Sequence, residues 1–503
     1  MKIKNLKWVL VFAGGITLLS CSKDFLDTKP SGQVFENNFY QDGDDAYHAL
    51  VAVYDIMKKQ AGGFENMTAM LNAGSDDFYA GGGNASDGAG IQSFSNYSIN
   101  SSTLPGSFWS DFYQGIFRAN KLLQELPDID MDEADKARFA AEAKALRGFY
   151  YFELVTQFRN IVFYTEPIPT SEFYNLTQVD PAIVYEQIEK DLSEAIPSLP
   201  PTVDLSTEAG RLTKGAAQAI LGKVYLFEGK NSQAASMFAE VNGTPGSTSQ
   251  YGYKLLDNFA DLWKIDNKYN TESIFEAAHT KESNADWGNW GSGSDEGNSL
   301  NVMVGPRGYS VTPDGDAPAY EAGWSFNPVT EDLANELQGD PRFDATIADL
   351  NALVASGDAL YSPGYQDTGY FLKKFMPTHD EITDGGGAVV LNYRQNMYVI
   401  RLADTYLMEA EALGGSGARA QALLDAVRAR VGLPSVPVSL EAIWHERRLE
   451  LAGEGHRWQD LVRTGRAASV LASRGFTAGK NEIWPIPLRE LENTQLVQNP
   501  NYN

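Results

Sequence analysis

Three of the nine tryptophans in this chain lie close together in a part of the sequence that cannot form a helix. Trp287 and Trp290 stand among Gly, Ser, Asn and Asp residues, and Trp324 follows after further glycines and prolines. Residues of these types break helices and favour turns. An indole on a loop offers a large, flat apolar surface. The stretch from Asn284 to Phe326 is therefore predicted to face a ring-shaped ligand.

Polar side chains near these aromatic residues complete a pattern that suits a sugar. A pyranose ring has apolar C–H faces and polar edges, so a site for it needs aromatic platforms and hydrogen-bonding groups at the rim. The predicted carbohydrate-binding residues are the platforms Trp287, Trp290, Trp324, Tyr79 and Tyr309 and the rim residues Asp77, Asn284, Asn289 and Asn298. Asp77 and Tyr79 belong to a second loop, which contains a glycine triplet at 81–83. The alternative for each loop tryptophan is that its ring folds inward and pins the loop.

The sequence lacks the motifs of common catalytic and metal sites. His445-Glu446-Arg447-Arg448-Leu449 lacks the second histidine of a zinc-binding H-E-x-x-H motif. Asp314-Gly315-Asp316 offers too few ligands for a dedicated calcium loop. No glycine-rich phosphate loop, serine elbow or dinucleotide fingerprint occurs. We therefore predict no catalytic residue, no metal and no cofactor; the alternative is a glycoside hydrolase that uses a pair of acids.

The charge of the chain narrows the classes of ligand. The formal net charge of the 503 residues is −26. A field of this sign repels phosphate backbones, so no nucleic-acid partner is expected and a neutral glycan is the favoured ligand. Glucans, fructans and mannans all satisfy this condition, and a peptide or another nutrient is the alternative.

The amino terminus carries the pattern of an exported, lipid-anchored protein. Residues 1–20 combine three lysines with the apolar stretch Trp8–Leu19, which is too short to remain as a membrane-spanning helix. Leu18-Leu19-Ser20-Cys21 looks like a lipobox, in which a signal peptide is cut before a cysteine that is then lipid-modified. Cys21 is the only cysteine, so no disulfide forms within the chain. We predict a signal peptide over 1–20 and a membrane anchor at Cys21; an ordinary signal peptide is the alternative.

Helical periodicity dominates the rest of the chain. Leu221-Gly222-Lys223-Val224-Tyr225 fits the L-G-x-x-Y core of a tetratricopeptide repeat, and Ala234 and Phe238 follow at the spacing of that repeat. The predicted fold class is mainly α, in which tetratricopeptide-like helical pairs form a scaffold and a loop-rich region with short strands lies over it. After a lipidated linker at 21–41, the predicted parts are a helical scaffold at 42–243 and 397–475, a loop-rich ligand-facing part at 244–396 and a C-terminal tail at 476–503.

The run from Glu446 to Arg463 resembles the E-R-x-x-E-L-x-x-E-G-x-R-x-x-D-L-x-R pattern of the SusD/RagB family. Within it, Arg447, Glu450 and Glu454 recur at three- and four-residue spacing and are predicted to form ion pairs along one helix face. Further matches to that family follow the same order and cover essentially the whole mature chain. They are Cys21–Asp27, Ala119-Asn120, Ala141–Phe152, Gly210–Ala217, Arg401–Asp404, Met408–Ala412, Trp484–Pro487 and Leu496–Tyr502.

This resemblance implies a surface-exposed lipoprotein of the outer membrane in Bacteroidetes-type bacteria, with a SusD-like domain over 42–503. Members of that family bind oligosaccharides or other nutrients, cap a SusC-like TonB-dependent outer-membrane transporter and are not enzymes. The expected role is therefore to capture oligosaccharides or polysaccharide at the cell surface and to pass them to the transporter. The sugar-binding residues of the family are variable loop aromatics, so the resemblance places no site residue. A structural lid for the transporter, without glycan affinity, is the remaining alternative.

Overall fold

Helices supply most of the regular structure in a computed structural model that describes residues 39–291, 295–382 and 386–502. The helices of the first half are α1 (Gly43–Tyr54), α2 (Met67–Ala73), α3 (Ala89–Ser95), α4 (Ser107–Glu125), α5 (Glu133–Phe158), α6 (Pro181–Ala195), α7 (Lys214–Phe227) and α8 (Asn231–Asn242). Those of the second half are α9 (Ser299–Val304), α10 (Glu331–Leu337), α11 (Phe343–Thr346), α12 (Leu350–Ala355), α13 (Leu402–Ala412), α14 (Gly417–Arg430), α15 (Leu440–Glu450), α16 (Arg457–Arg463), α17 (Ala467–Val470) and α18 (Leu488–Leu491). The predicted signal peptide and Cys21 lie outside the described residues.

Short strands occur in the loop-rich part, and one of them, Met397–Arg401, occupies the start of the segment predicted as helical scaffold. They are β1 (Ser273–Ala277), β2 (Ser310–Val311), β3 (Ile347–Asp349), β4 (Ala359–Leu360), β5 (Tyr370–Leu372) and β6 (Met397–Arg401). Within the described ranges they pair as antiparallel ribbons, β1 with β6, β2 with β4 and β3 with β5. The mainly α fold class is confirmed.

Helices α7 and α8 form the predicted tetratricopeptide-like pair. The Thr213 side chain accepts a hydrogen bond from the Ala216 amide and begins α7. A turn with Gly229 at a φ of 74° then reverses the chain. A Cβ atom at Gly222 would lie 2.8 Å from Cε1 of Phe238, so only glycine lets the two helices approach this closely. The repeat motif is thus a packing motif in this chain.

The charged residues of α15 form a buried network with separate elements, which corrects the predicted ion pairs along one helix face. Arg447 pairs with Asp404 at 2.7 Å and with Asp460 at 3.0 Å, not with its helix neighbours. Glu450 and Glu454 instead accept from Arg401 at 2.6 Å and 2.8 Å. Helix α15 ends at Glu450, so Glu454 has left the helix face that the spacing assumed.

The same network joins the helical scaffold to the loop-rich part. Arg342 lies 3.0 Å from Glu450, and Lys374 lies 2.8 Å from Glu454. Arg430 of α14 also pairs with Glu450. Burial alone would raise the pKa of Glu450, but the surrounding guanidinium groups hold this pKa well below its usual range. Breaking such a buried pair is costly, so these contacts fix the loop-rich part on its support.

No helix in the described part of the chain is long and apolar enough to cross a membrane.

Candidate ligand-binding site

Trp287, Trp290 and Trp324 meet at one place on the surface. The ring centroids of Trp287 and Trp290 are 5.8 Å apart, those of Trp290 and Trp324 5.4 Å and those of Trp287 and Trp324 6.1 Å. Phe64 adds a fourth ring, 5.9 Å from Trp290 and 6.5 Å from Trp324. We call these four residues the aromatic cluster. Trp287 is 58% exposed, whereas the other three rings are half-buried.

The ring planes of the cluster have two orientations. Those of Trp287 and Trp324 differ by 32°, so the two indoles face in similar directions. Trp290 stands at 83° to Trp287 and 74° to Trp324, so it meets both edge-on. Edge-to-face contacts at these distances stabilise aromatic groups. Trp290 therefore supports the two tryptophans whose planes are closer to parallel.

The buried helix α9 positions two of the tryptophans. The hydroxyl oxygen of Ser299, its first residue, accepts a hydrogen bond from Nε1 of Trp290 at 3.0 Å. The carbonyl oxygen of Val302, one turn later, accepts from the amide of Trp324 at 2.9 Å. The chain passes so close at Gly323 that a Cβ atom there would lie 2.4 Å from that carbonyl oxygen. One short helix thus brings together residues that are 34 positions apart in the sequence.

Polar side chains of the tryptophan loop hold the loop itself. Oδ1 of Asn289 accepts from the amide of Asp286 at 2.6 Å. Asn284, at a φ of 49°, accepts from the amide of Gly386 at 2.8 Å. Asp295 accepts from the amide of Gly291 at 2.8 Å. Asn284 and Asn289 remain near the surface, and these contacts give them a role in presenting Trp287.

A polar cleft of about 360 Å³ adjoins the aromatic cluster, and Phe64 and Trp290 line it. Nζ of Lys59 donates to the Ser107 hydroxyl at 2.6 Å and lies 3.2 Å from Asp111. The charged residues that line the cleft are Asp55, Lys58, Lys59, Glu65, Asp111 and Asp295. Because carboxylates outnumber lysines, the cleft suits a neutral ligand with many hydroxyl groups better than an anion.

Two carboxyl groups beneath the loop have raised pKa values. Burial raises the pKa of Asp295, and hydrogen bonds from the amides of Gly291 and Gly297 partly oppose this increase. Burial also raises the pKa of Glu296 to about 7, although nearby Lys58 opposes the shift. The Glu296 carboxyl is therefore partly protonated near neutral pH.

Three predicted site residues lie inside the protein, and the structure corrects these assignments. Asp77 and Asn298 have no exposed surface. Asp77 pairs with Arg448 at 2.7 Å, and Nδ2 of Asn298 donates to the carbonyl oxygen of Gln395 at 2.8 Å. Tyr309 is 8% exposed, and its hydroxyl donates to a carbonyl oxygen at 2.6 Å. The predictions for these residues are wrong because a buried side chain with an internal partner presents no surface to a ligand.

Tyr79, the remaining predicted platform, lies outside the aromatic cluster. The guanidinium of Arg474 stacks over its half-buried ring at 4.2 Å from the centroid. Among the described residues, no ring contact joins Tyr79 to the aromatic cluster. Tyr79 is therefore held on the side of the loop that faces the C-terminal part of the chain.

Reasoning from the sequence missed Phe64 and Arg307. Nε of Arg307 donates to the carbonyl oxygen of Trp324 at 3.0 Å, and its Nη2 donates to Asp87 at 2.9 Å. Asp87 belongs to the glycine-rich loop, so that loop does reach the aromatic cluster. A Cβ atom at Gly88, which has a φ of 70°, would lie 2.6 Å from the Phe64 ring. The available signal for Phe64 was the glycine pair at 62–63 directly before it.

Comparison with known proteins identifies the family to which this scaffold belongs. A family model described as the SusD family matches residues 271–502, and a second, described as starch-binding associating with outer membrane, matches residues 24–226. A solved structure described as a laminarin binding SusD-like protein is 64% identical, with a TM-score of 0.91, and the match covers 92% of this chain and 100% of that one. The chain belongs to the SusD family.

Other SusD-like proteins match along nearly the full chain. Surface glycan-binding protein A from Bacteroides thetaiotaomicron, solved in complex with laminarihexaose, is 26% identical over 91% of this chain and 100% of its own, with a TM-score of 0.80. A SusD-like protein of Formosa agariphila is 27% identical over 98% of this chain and 97% of its own. Both of these solved structures are described as those of binding proteins.

The described ranges of this SusD-family chain contain no candidate metal-binding cluster. No group of three or more His, Cys, Asp or Glu residues is placed to hold a metal ion there. The family motif residues Glu450 and Glu454 lie in the buried ion network and not in the aromatic cluster. Family membership therefore accounts for the scaffold, whereas the aromatic cluster lies apart from the family motif residues.

Proposed function

We propose that this SusD-family protein is a non-catalytic, surface-exposed lipoprotein that binds a neutral glucan of the laminarin type at the aromatic cluster. The observation that carries the proposal is the exposed Trp287 beside Trp290 and Trp324, next to a polar cleft of about 360 Å³. Concave sites of this size with aromatic surfaces and a few fixed polar groups are typical of small-ligand binding.

The chemistry of a glucose chain fits both parts of the site. The apolar C–H faces of the sugar rings stack on the exposed indole of Trp287, and the adjoining cleft supplies donors and acceptors for the hydroxyl groups. Lys59, Ser107 and Asp111 already form a bonded group there. The 64% identity to a protein described as laminarin binding, and the laminarihexaose complex of another relative, favour a laminarin-type glucan over other neutral glycans.

The carboxylates of the cleft support binding instead of hydrolysis. Asp55 pairs with Lys58 and with Arg118, both at 2.8 Å, and Asp111 pairs with Lys59 at 3.2 Å. Asp295 accepts from backbone amides. Hydrolysis of a glycosidic bond needs one free acid and one free base or nucleophile across the bond. Asp55, Asp111 and Asp295 are instead held by neighbouring cations and amides, and Glu65 accepts a hydrogen bond from the Ser107 hydroxyl.

The cellular part of the proposal follows from the amino terminus and from family membership. One matching family model is described as associating with the outer membrane. Lipidation of Cys21 would anchor the protein there, and a SusC-like TonB-dependent transporter would receive the bound glucan. A Cys21→Ala variant is expected to leave the membrane fraction, and an affinity-tagged protein is expected to co-purify with such a transporter. Retention of the variant in membranes would contradict the anchor.

Native affinity electrophoresis tests ligand binding. The wild-type protein is expected to be retarded in gels that contain laminarin, and the triple alanine variant of Trp287, Trp290 and Trp324 is expected to migrate as in an empty gel. Tyr174→Ala is the matched control, because Tyr174 is 60% exposed and lies outside the aromatic cluster. Equal retardation of the triple variant would refute the site. New reducing ends after incubation with laminarin would refute the absence of catalysis.

A further inference from the structure

A second, larger groove continues from the polar cleft. It has a volume of about 790 Å³ and lies between residues 101–110 and residues 487–490. Phe64, Glu65 and Ser107 line both the cleft and this groove. The two hollows therefore adjoin each other, and the second extends away from the three tryptophans of the aromatic cluster. We call the second part the 101–110 groove.

The backbone fixes the two sides of the 101–110 groove against each other. The amide of Leu488 donates to the carbonyl oxygen of Ser101 at 2.9 Å. On one side, Ser101, Ser102 and Thr103 precede Leu104 and Pro105, and Ser107 follows them. On the other side, α18 begins after Pro487. The groove thus combines apolar surface with hydroxyl groups along a preformed path, which suits the alternating apolar and polar surface of a sugar chain.

Glu490 is an unused acceptor in the 101–110 groove. In the described part of the chain, no cation or hydrogen-bond donor is paired with its carboxylate, and burial raises its pKa. Glu65, the other carboxylate of the groove, accepts from the Ser107 hydroxyl at 3.0 Å. With Arg489 as the single cation among the lining residues, the groove disfavours an anionic polymer. A neutral chain with many hydroxyl donors meets these conditions.

We propose that the 101–110 groove is a second binding segment for the same glucan, which holds the sugar units beyond those stacked on the aromatic cluster. This inference rests on the proposed function. It makes the protein a receptor for long chains: oligosaccharides that reach only the aromatic cluster bind weakly, and chains that also fill the groove bind more tightly. The Glu490 carboxylate accepts hydrogen bonds from hydroxyl groups of those distal units.

Gly106 allows the groove to be obstructed without disturbing the fold. Its φ of −60° is open to any residue, and an added Cβ atom meets nothing within 4 Å. Gly106→Leu places a branched side chain in the groove, and Gly106→Ala is the matched control. Glu490→Ala is an independent variant, because it removes a carboxylate without adding bulk. Thermal unfolding checks that each variant is folded.

Isothermal titration calorimetry with laminaribiose, laminarihexaose and laminarin measures the effect of chain length. For the wild-type protein we expect affinity to rise with length, and for Gly106→Leu we expect laminarin affinity to fall about tenfold while laminaribiose affinity stays unchanged. Glu490→Ala is expected to weaken laminarin binding in the same direction, and Gly106→Ala is expected to match the wild type. If Gly106→Leu and Glu490→Ala both show the same increase in affinity with chain length as the wild-type protein, the groove proposal is overturned.

Failure of the underlying function gives a different result. If the proposed function is wrong, none of these sugars binds the wild-type protein, or Trp287→Ala binds all of them as the wild type does. If only the groove proposal is wrong, Trp287→Ala weakens binding of every sugar and the groove variants do not. The two outcomes are therefore distinguishable in one set of titrations.

Discussion

Replacing Trp287 by alanine removes the most exposed ring of the aromatic cluster, and we expect it to separate ligand binding from stability. A tryptophan side chain has roughly 200 Å² of surface, so 58% exposure leaves roughly 120 Å² free. A sugar ring stacked on one face would cover about half of that area. At about 25 cal/mol per Å², the lost contact is about 1.5 kcal/mol, which is about a tenfold increase in Kd.

Trp290→Ala is the informative comparison with this variant, because Trp290 makes an internal hydrogen bond and a ring contact with Phe64 that Trp287 lacks. Its Nε1 donates to Ser299, and its ring contacts Phe64, Trp287 and Trp324. Replacing a buried tryptophan by alanine costs about 3–5 kcal/mol, so for this half-buried ring we expect a loss of about 2 kcal/mol in the free energy of unfolding. Trp287→Ala is expected to change that free energy by less than about 0.5 kcal/mol.

Calorimetric titration with laminarihexaose and urea unfolding, applied to both variants, measure the two effects separately. Tyr174→Ala serves as control for the loss of an exposed aromatic residue, and we expect it to change neither quantity. The reasoning is refuted if Trp287→Ala binds laminarihexaose as the wild type does. It is equally refuted if Trp287→Ala destabilises the fold as much as Trp290→Ala, because Trp287 would then pin the loop instead of facing the ligand.

Two further predictions concern the scaffold. Glu450→Ala leaves Arg401, Arg342 and Arg430 without a shared buried partner, so we expect the free energy of unfolding in urea to fall by about 3–5 kcal/mol. The control Glu133→Ala breaks a surface pair with Lys136 and should lower that free energy by less than about 1 kcal/mol. An equal loss in both variants would contradict this reasoning. Burial raises the pKa of Glu153 from 4.5 to about 7, and the nearby charge of Lys223 partly opposes this shift. The folded state therefore binds this proton more tightly than the unfolded state, and stability is lost as pH rises from about 4.5 to about 7. Glu153→Gln should therefore raise the free energy of unfolding by about 1–3 kcal/mol at pH 8 and change it little at pH 4. If the difference between variant and wild type did not depend on pH, the Glu153 carboxyl would not titrate in this window.

The scaffold was accessible from the sequence because its signals are local and repeated. Gly222 and Phe238 stand at the spacing that lets α7 and α8 pack, and the structure shows that contact. The loop character around Trp287 and Trp290 was equally readable, since glycine and asparagine there adopt turn conformations such as that of Asn284. The short helix α9 within the stretch 284–326 was not predicted. Trp287, Trp290 and Trp324 could accordingly be assigned to one region before their rings were seen together.

Which polar residues reach the surface was decided only by tertiary structure. Asp77 looked like a rim residue because it lies in a glycine-rich loop, yet its partner Arg448 comes from α15, 371 residues further along the chain. Phe64 joined the aromatic cluster through contacts with Trp290 and Trp324 that no local pattern encodes. The helical support and the aromatic character of the loop could be read from the sequence, because both depend on residues near one another in the chain. Exposure and mutual orientation of side chains depend on packing between distant segments, and therefore only the folded structure decides them.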